Sequence, residues 1–156
     1  MNTAAELANE RTVVIVRELA APRALVWKAW TDPAHMARWF GPRMFTIPEC
    51  RLDVRVGGAL WIVMRGPDGN DYPMKGVFRE VIENERLVFT NIAVDTQGRH
   101  LLEGETTVIF ENHGAGTQLI VRAFAKGVAP HAPQMLAGMQ EGWSQTLDKL
   151  GEALDA

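Results

Sequence analysis

The sequence predicts one α+β domain: a curved antiparallel sheet of about seven strands, wrapped around a long C-terminal helix, with two short helices after the first strand. Three observations predict it. Between Pro133 and Leu154, apolar residues fall at Leu136, Met139, Trp143, Leu147, Leu150 and Leu154, the spacing of one helix face. Between Phe45 and Ala125 the apolar period is strand-like, and turn residues interrupt it at short intervals. Between these two periods and the N-terminus, Ala21-Pro22, Asp32-Pro33 and Gly41-Pro42 punctuate a short helical stretch.

Taken in order, residues 1–11 read as a tail and 12–156 as the domain. Thr12 to Leu19 is β-branched and apolar, a first strand. Pro22 suits a helix start, and the segment to Thr31 places Leu25, Val26, Ala29 and Trp30 on one side. Asp32 can cap a second helix with Pro33 at its first position, running to about Trp39. Phe45 to Val56 is extended, and Pro48 marks an edge or irregular position. Gly57-Gly58, Pro67 to Asn70, Glu83 to Glu85, Asp95 to His100 and His113 to Gly116 are turns or loops. They separate strands at Ala59–Arg65, Tyr72–Ile82, Leu87–Val94, Leu102–Glu111 and Thr117–Ala125. Short turns between successive strands imply an antiparallel meander. The C-terminal helix, roughly 33 Å long at 1.5 Å per residue, is the element able to cover one face. Its outer face is too polar for a membrane span.

Alternation assigns the side chains between sheet and helix. The inner sets are Leu60, Ile62 and Met64; Met74, Gly76, Phe78 and Glu80; Leu87, Phe89 and Asn91; Val108 and Phe110; and Leu119, Val121 and Ala123. Trp61 and Val63 fall outside. On the helix, Met135, Met139 and Trp143 occupy the first half with Gly138 and Gly142. Leu147, Leu150 and Leu154 occupy the second. The first half reads as the wall of a space and the second as an anchor in close-packed core. Methionines that merely fill gaps are the competing account.

The chain has 156 residues, 47% hydrophobic and 22% charged, with net charge -3. Basic and acidic residues are interspersed, so neither nucleic acid nor an anionic membrane is the expected partner. The single cysteine, Cys50, excludes an internal disulfide, and no secretory leader is read; the expected setting is cytoplasmic.

The segments AWTDPAHMARWFGP (Ala29 to Pro42), DVRVGGALWIVMRGPDG (Asp53 to Gly69), GVFREVIENERLVFT (Gly76 to Thr90) and EGWSQTLDKL (Glu141 to Leu150) carry a resemblance. Together they resemble the START-like (SRPBCC) superfamily, and more narrowly the branch named for the C-terminal domain of the activator of the ninety-kilodalton heat-shock-protein ATPase. The resemblance covers residues 12–154. It implies the helix-grip fold, with a cavity between sheet and helix. It implies no shared catalytic residue. It places Trp39, Phe40, the inner residues of GGALWIVM and Trp143 at the lining or mouth of the cavity. The residues also lack a match to the N-terminal domain of the eukaryotic activator, so a chaperone is a doubtful partner.

The expected ligand-binding residues are therefore Trp39, Phe40, Leu60, Ile62, Met64, Met74, Phe78, Glu80, Phe89, Asn91, Met135, Met139 and Trp143. The expected ligand is a small apolar or aromatic molecule. An inward Glu80 would permit acid–base chemistry of the cyclase, aromatase or hydrolase type. The competing account pairs Glu80 with Arg51, Arg65 or Arg79. Asn91 and Tyr72 could orient polar ligand groups. His35, His100, His113 and His131 read as loop or helix-end residues, with no metal-ligand spacing. No cofactor motif occurs, and Cys50 reads as an inert thiol. Trp27, Trp30 and Trp39 read as core; an exposed pair among them would mark a cavity lip or a homodimer contact.

Overall fold

The computed structural model describes residues 9–155. Most of the expected tail, residues 1–8, lies outside the described residues. Strand β1 (Glu10–Leu19) begins two residues earlier than expected. Helices α1 (Arg23–Thr31) and α2 (Pro33–Met36) follow. Then come β2 (Thr46–Leu52), β3 (Ala59–Arg65), β4 (Asp71–Ile82), β5 (Arg86–Val94), β6 (His100–His113) and β7 (Gly116–Gly127). Helices α3 (Ala132–Ala137) and α4 (Met139–Asp155) close the described chain.

The strands form one antiparallel sheet in the order β1-β7-β6-β5-β4-β3-β2. The meander from β2 to β7 follows from its short turns, and β1 completes the sheet beside β7. Pro48 lies on the edge strand β2, within a register shift between Thr46 and Glu49. A residue without an N–H is tolerated there. Asp32 caps α2 by accepting a hydrogen bond from the Ala34 N–H at 3.0 Å.

The C-terminal stripe is two helices, where the sequence predicts one. The break falls at Gly138, whose N–H closes back on Met135 and Leu136. Glycine is the poorest helix former after proline. The apolar spacing runs on in phase across the break, so periodicity alone does not reveal it. Leu136 is buried from α3, and Leu147 and Leu150 from α4.

The inner face of the sheet is organised in cross-strand rows. One row is Val81, Leu87, Val108, Val121 and Ile15. The next is Phe78, Phe89, Thr106, Ala123 and Val13. All of these except Val81 are buried. Polar side chains fasten the helices over them. The Arg17 guanidinium pairs with Asp148 and donates to Ser144 Oγ at 2.9 Å. Arg11 donates to the Leu136 carbonyl at 3.5 Å.

Two glycines let the sheet bend. A Cβ on Gly76 would stand 1.8 Å from the Thr90 carbonyl oxygen, and one on Gly104 would stand 2.0 Å from that of Phe124. Backbone of the neighbouring strand occupies the space a side chain needs. At the same place the Thr90 hydroxyl accepts a hydrogen bond from the Val77 N–H at 2.9 Å. Gly76 and Gly104 form a crease on either side of β5, as glycines do in curved sheets.

Candidate interior binding site

The third inner row differs from the first two. It runs Asn91, Gly104, Ala125 and Arg11, with Gly76 at the corresponding inward position of β4. Beyond it lie Met74, Ala93, Leu102 and Gly127. From Gly76 to Ala125 no side chain in the third row is larger than Asn91. The row lies between Phe78 and Phe89 on one side and Met74 and Leu102 on the other. Asn91 is half-buried, and its Oδ1 accepts a hydrogen bond from the buried Thr106 hydroxyl at 2.8 Å. Its amide N–H groups donate to no acceptor among the described residues.

The predicted site residues divide into two groups. Trp39, Phe40, Leu60, Ile62, Phe78 and Phe89 are buried in the core. Met64, Met74, Met135, Met139 and Trp143 are half-buried, as Asn91 is. Met64, Met74, Met139 and Trp143 pack against the core from its solvent-facing margin. Met135 stands on α3, separated from Met139 and Trp143 by the Gly138 break.

An aromatic cluster joins α4 to the early helices. Trp143 stacks on Trp30 at 6.4 Å and meets Phe40 edge-on at 6.1 Å. Trp30 contacts Trp39 at 4.8 Å, and Trp39 Nε1 donates to the Ala29 carbonyl at 3.1 Å. Trp30 Nε1 is buried with no acceptor among the described residues. Leaving such a donor unpaired costs about 1–3 kcal/mol. Trp27, Trp30 and Trp39 are all buried, so the exposed pair that would have marked a lip or dimer contact is not there.

The segment after Phe40 is tied to the second half of α4. The Lys149 ammonium donates to the carbonyls of Phe40, Gly41 and Pro42 at 3.5, 3.2 and 3.4 Å. Arg43 pairs with Glu152, and its N–H donates to Gln145 Oε1 at 3.1 Å. Burial pulls the Lys149 pKa down, and the Arg43 charge adds to that effect. Gly41 brings this segment against Met64. Sequence periodicity did not point to Lys149, because a lysine on a polar helix face carries no signal of its own.

Glu80 does not face the interior. Phe78 pairs with Phe89 and Glu80 with Val88, so Arg79 is an extra residue on β4. This bulge inverts the alternation: Val81 turns inward and Glu80 outward. Glu80 is exposed and forms an ion pair with Arg86 at 2.6 Å, a partner different from the three arginines considered. Tyr72 is exposed too, donating to Asp68 at 2.8 Å.

Cys50 is half-buried, and burial, with a smaller contribution from Asp32, pushes its thiol up to about 11. A thiol of that kind is a poor nucleophile at neutral pH. His100 and His113 end strand β6, near Glu103 and Glu18 respectively. Among the described residues no three His, Cys, Asp or Glu side chains gather at metal-binding distances. No described helix is long and apolar enough to cross a membrane.

Comparison with known proteins agrees with this architecture. The family described as Activator of Hsp90 ATPase homolog 1-like protein matches residues 20–155. A crystal structure of a protein from Nitrosomonas europaea is 32% identical, with TM-score 0.74, covering 92% of this chain and 94% of its own. A putative uncharacterized protein from Rhizobium leguminosarum is 24% identical with TM-score 0.82, covering 94% of this chain and 95% of its own. The AHSA1 protein from Silicibacter pomeroyi is 23% identical with TM-score 0.75, covering 93% and 98%. No curated protein matches the sequence. With its helix-grip fold and a match over most of its length, the chain belongs to the AHSA1-like family of the START (SRPBCC) superfamily.

Proposed function

We propose that the chain binds a small apolar or aromatic molecule between the sheet and the first half of α4. The observation that carries this reading is the small-residue row Gly76, Asn91, Gly104 and Ala125. Beside it, the rows nearer the β4–β5 turn carry Phe78, Phe89, Leu87 and Val108, so this stretch of the inner face is the one with least side-chain volume to fill the space under the helix. Half-buried Met64, Met74, Met139 and Trp143 lie along the margin of the core. Thioethers and an indole adapt to an apolar guest. The amide N–H groups of Asn91 favour a guest that also accepts a hydrogen bond, such as an aromatic carbonyl or phenol.

The acid–base alternative loses its carboxylate, because Glu80 is on the outer face. The family description also names a chaperone activator homologue. A chaperone partner would act through surface contacts, and the interior row gives that reading no support.

The test uses 1-naphthol and the indole N–H resonances of the 15N-labelled protein. Saturable binding is expected to shift the Trp143 resonance, and Ala125→Phe, which fills the space under the helix, is expected to abolish the shift while the other resonances stay dispersed. Binding by Ala125→Phe equal to that of the parent chain overturns the location. No saturable shift with 1-naphthol, naphthalene or a panel of flat aromatic ketones overturns the reading.

A further inference from the structure

The same crease has an outer side. There the sheet holds an open groove of about 780 Å³ over Gly76 and Gly104. That volume falls within the range of small-molecule sites. One cross-strand row supplies Arg51, Trp61, Lys75 and Ile92, and the adjoining row supplies Ala59 and Val77. Val77 is 41% exposed, although it is an aliphatic residue in mid-strand.

The groove is built as well as open. Trp61 Nε1 donates to Glu49 at 3.1 Å, and the Arg51 guanidinium lies 5.8 Å from the centre of the indole ring. These contacts anchor the ring at one side of the groove. Charge is uneven along the groove. Arg79 is paired with Glu105 at 3.3 Å, while Glu103, at the far end of the first row, stands beside His100. Among the described residues, Arg51 and Lys75 have no carboxylate partner at ion-pair distance. Two cations with no carboxylate at ion-pair distance therefore flank the indole and the aliphatic floor of Val77 and Ile92, with Glu49 held by the indole N–H and Glu103 at the far end of the row.

We propose that this groove is a second binding site, separate from the interior, for a flat aromatic anion such as an aryl carboxylate or aryl sulfonate. The ring lies on Val77 and Ile92 beside Trp61. The anionic group points to Arg51 and Lys75. A neutral ring lacks the ionic half of this recognition, and an aliphatic acid lacks the stacking half.

The test titrates the 15N-labelled full chain with 1-naphthalenesulfonate and, separately, with naphthalene. The Trp61 indole N–H reports the groove, and the Trp143 indole N–H reports the interior. Naphthalenesulfonate is expected to shift Trp61 saturably, and naphthalene is expected to leave it in place. Lys75→Gln is expected to weaken the sulfonate about fivefold, the scale of one exposed ion pair; Lys75→Arg is expected to retain it. A sulfonate that moves only Trp143 overturns the inference, as does unchanged affinity in Lys75→Gln. An equal response of Trp61 to naphthalene removes the anion from the recognition and overturns it too. None of these failures touches the interior proposal, which is read at Trp143 with uncharged ligands.

Discussion

Near the β4–β5 turn, the inner face of the sheet carries Val81, Leu87, Val108, Val121 and Ile15, and α4 sets Leu147 and Leu150 in the same core. Near the other end of the same strands it carries Met74, Ala93, Leu102 and Gly127, next to a row of glycine, asparagine and alanine. Both ends use the same backbone ladder. What differs is side-chain size and the bend at Gly76 and Gly104. Burial follows: Leu87, Val108 and Leu150 are fully buried, while Met74, Met139 and Trp143 keep contact with solvent. One end is a closed core that fixes the helix. The other is lined by small side chains and by half-buried methionines.

The strongest way to break this division is to remove the bend. In Gly104→Ala the new methyl would stand 2.0 Å from the Phe124 carbonyl oxygen, so β6 and β7 must separate or the strand must rotate. The expected loss exceeds about 3 kcal/mol, the scale of a backbone conflict with no flexible neighbour to yield. Chemical denaturation measures it. A loss under about 1 kcal/mol would mean that the crease is not set by Gly104.

The two halves of α4 give the next contrast. Leu150 is fully buried, so Leu150→Ala is expected to cost about 3 kcal/mol, within the usual span for such cavities. Met139→Ala is expected to cost about 1 kcal/mol, because Met139 keeps solvent contact and lies at the margin of the core. Equal losses in the two variants would erase the distinction between anchor and wall.

Much of this was legible in the sequence, for physical reasons that also explain the failures. The strands, turns and short helices announce themselves through local chemistry: Pro22 starts the first helix, and Asp32 and Pro33 cap the second whatever lies around them. The inward sets on β3, β5, β6 and β7 follow from strict alternation. Glu80 was misplaced because one extra residue, Arg79, inverts that alternation, and only pairing with β5 reveals it. The helix break was missed because Leu136 and Met139 stay in phase across Gly138. Gly104 carried a visible signal, a glycine inside a β-branched strand, which marks a bend or a close approach. The outer groove was not legible at all. Arg51, Trp61, Lys75 and Ile92 come together only through the register of four strands.

The anchor half of α4 also depends on an ion pair, and this gives the smallest of the expected effects. Glu152 pairs with Arg43, which ties the segment after Phe40 to the helix. The hydrogen bond from Arg43 is the largest influence on Glu152 and lowers its pKa. A carboxylate with a lowered folded pKa is more acidic folded than unfolded. Its contribution is therefore fully present above the ordinary glutamate value of about 4.3, and is lost as the pH falls through the lower folded value. Both side chains are well exposed, so solvent and salt screen the pair. Glu152→Gln is thus expected to lower the melting temperature at pH 7 by less than Met139→Ala does. The gap between Glu152→Gln and the parent chain should narrow on acidification and in high salt. A gap that persists unchanged at low pH would show that Glu152 acts through packing, and the second half of α4 would then be held by its apolar face, Arg17 and Lys149 without this ion pair.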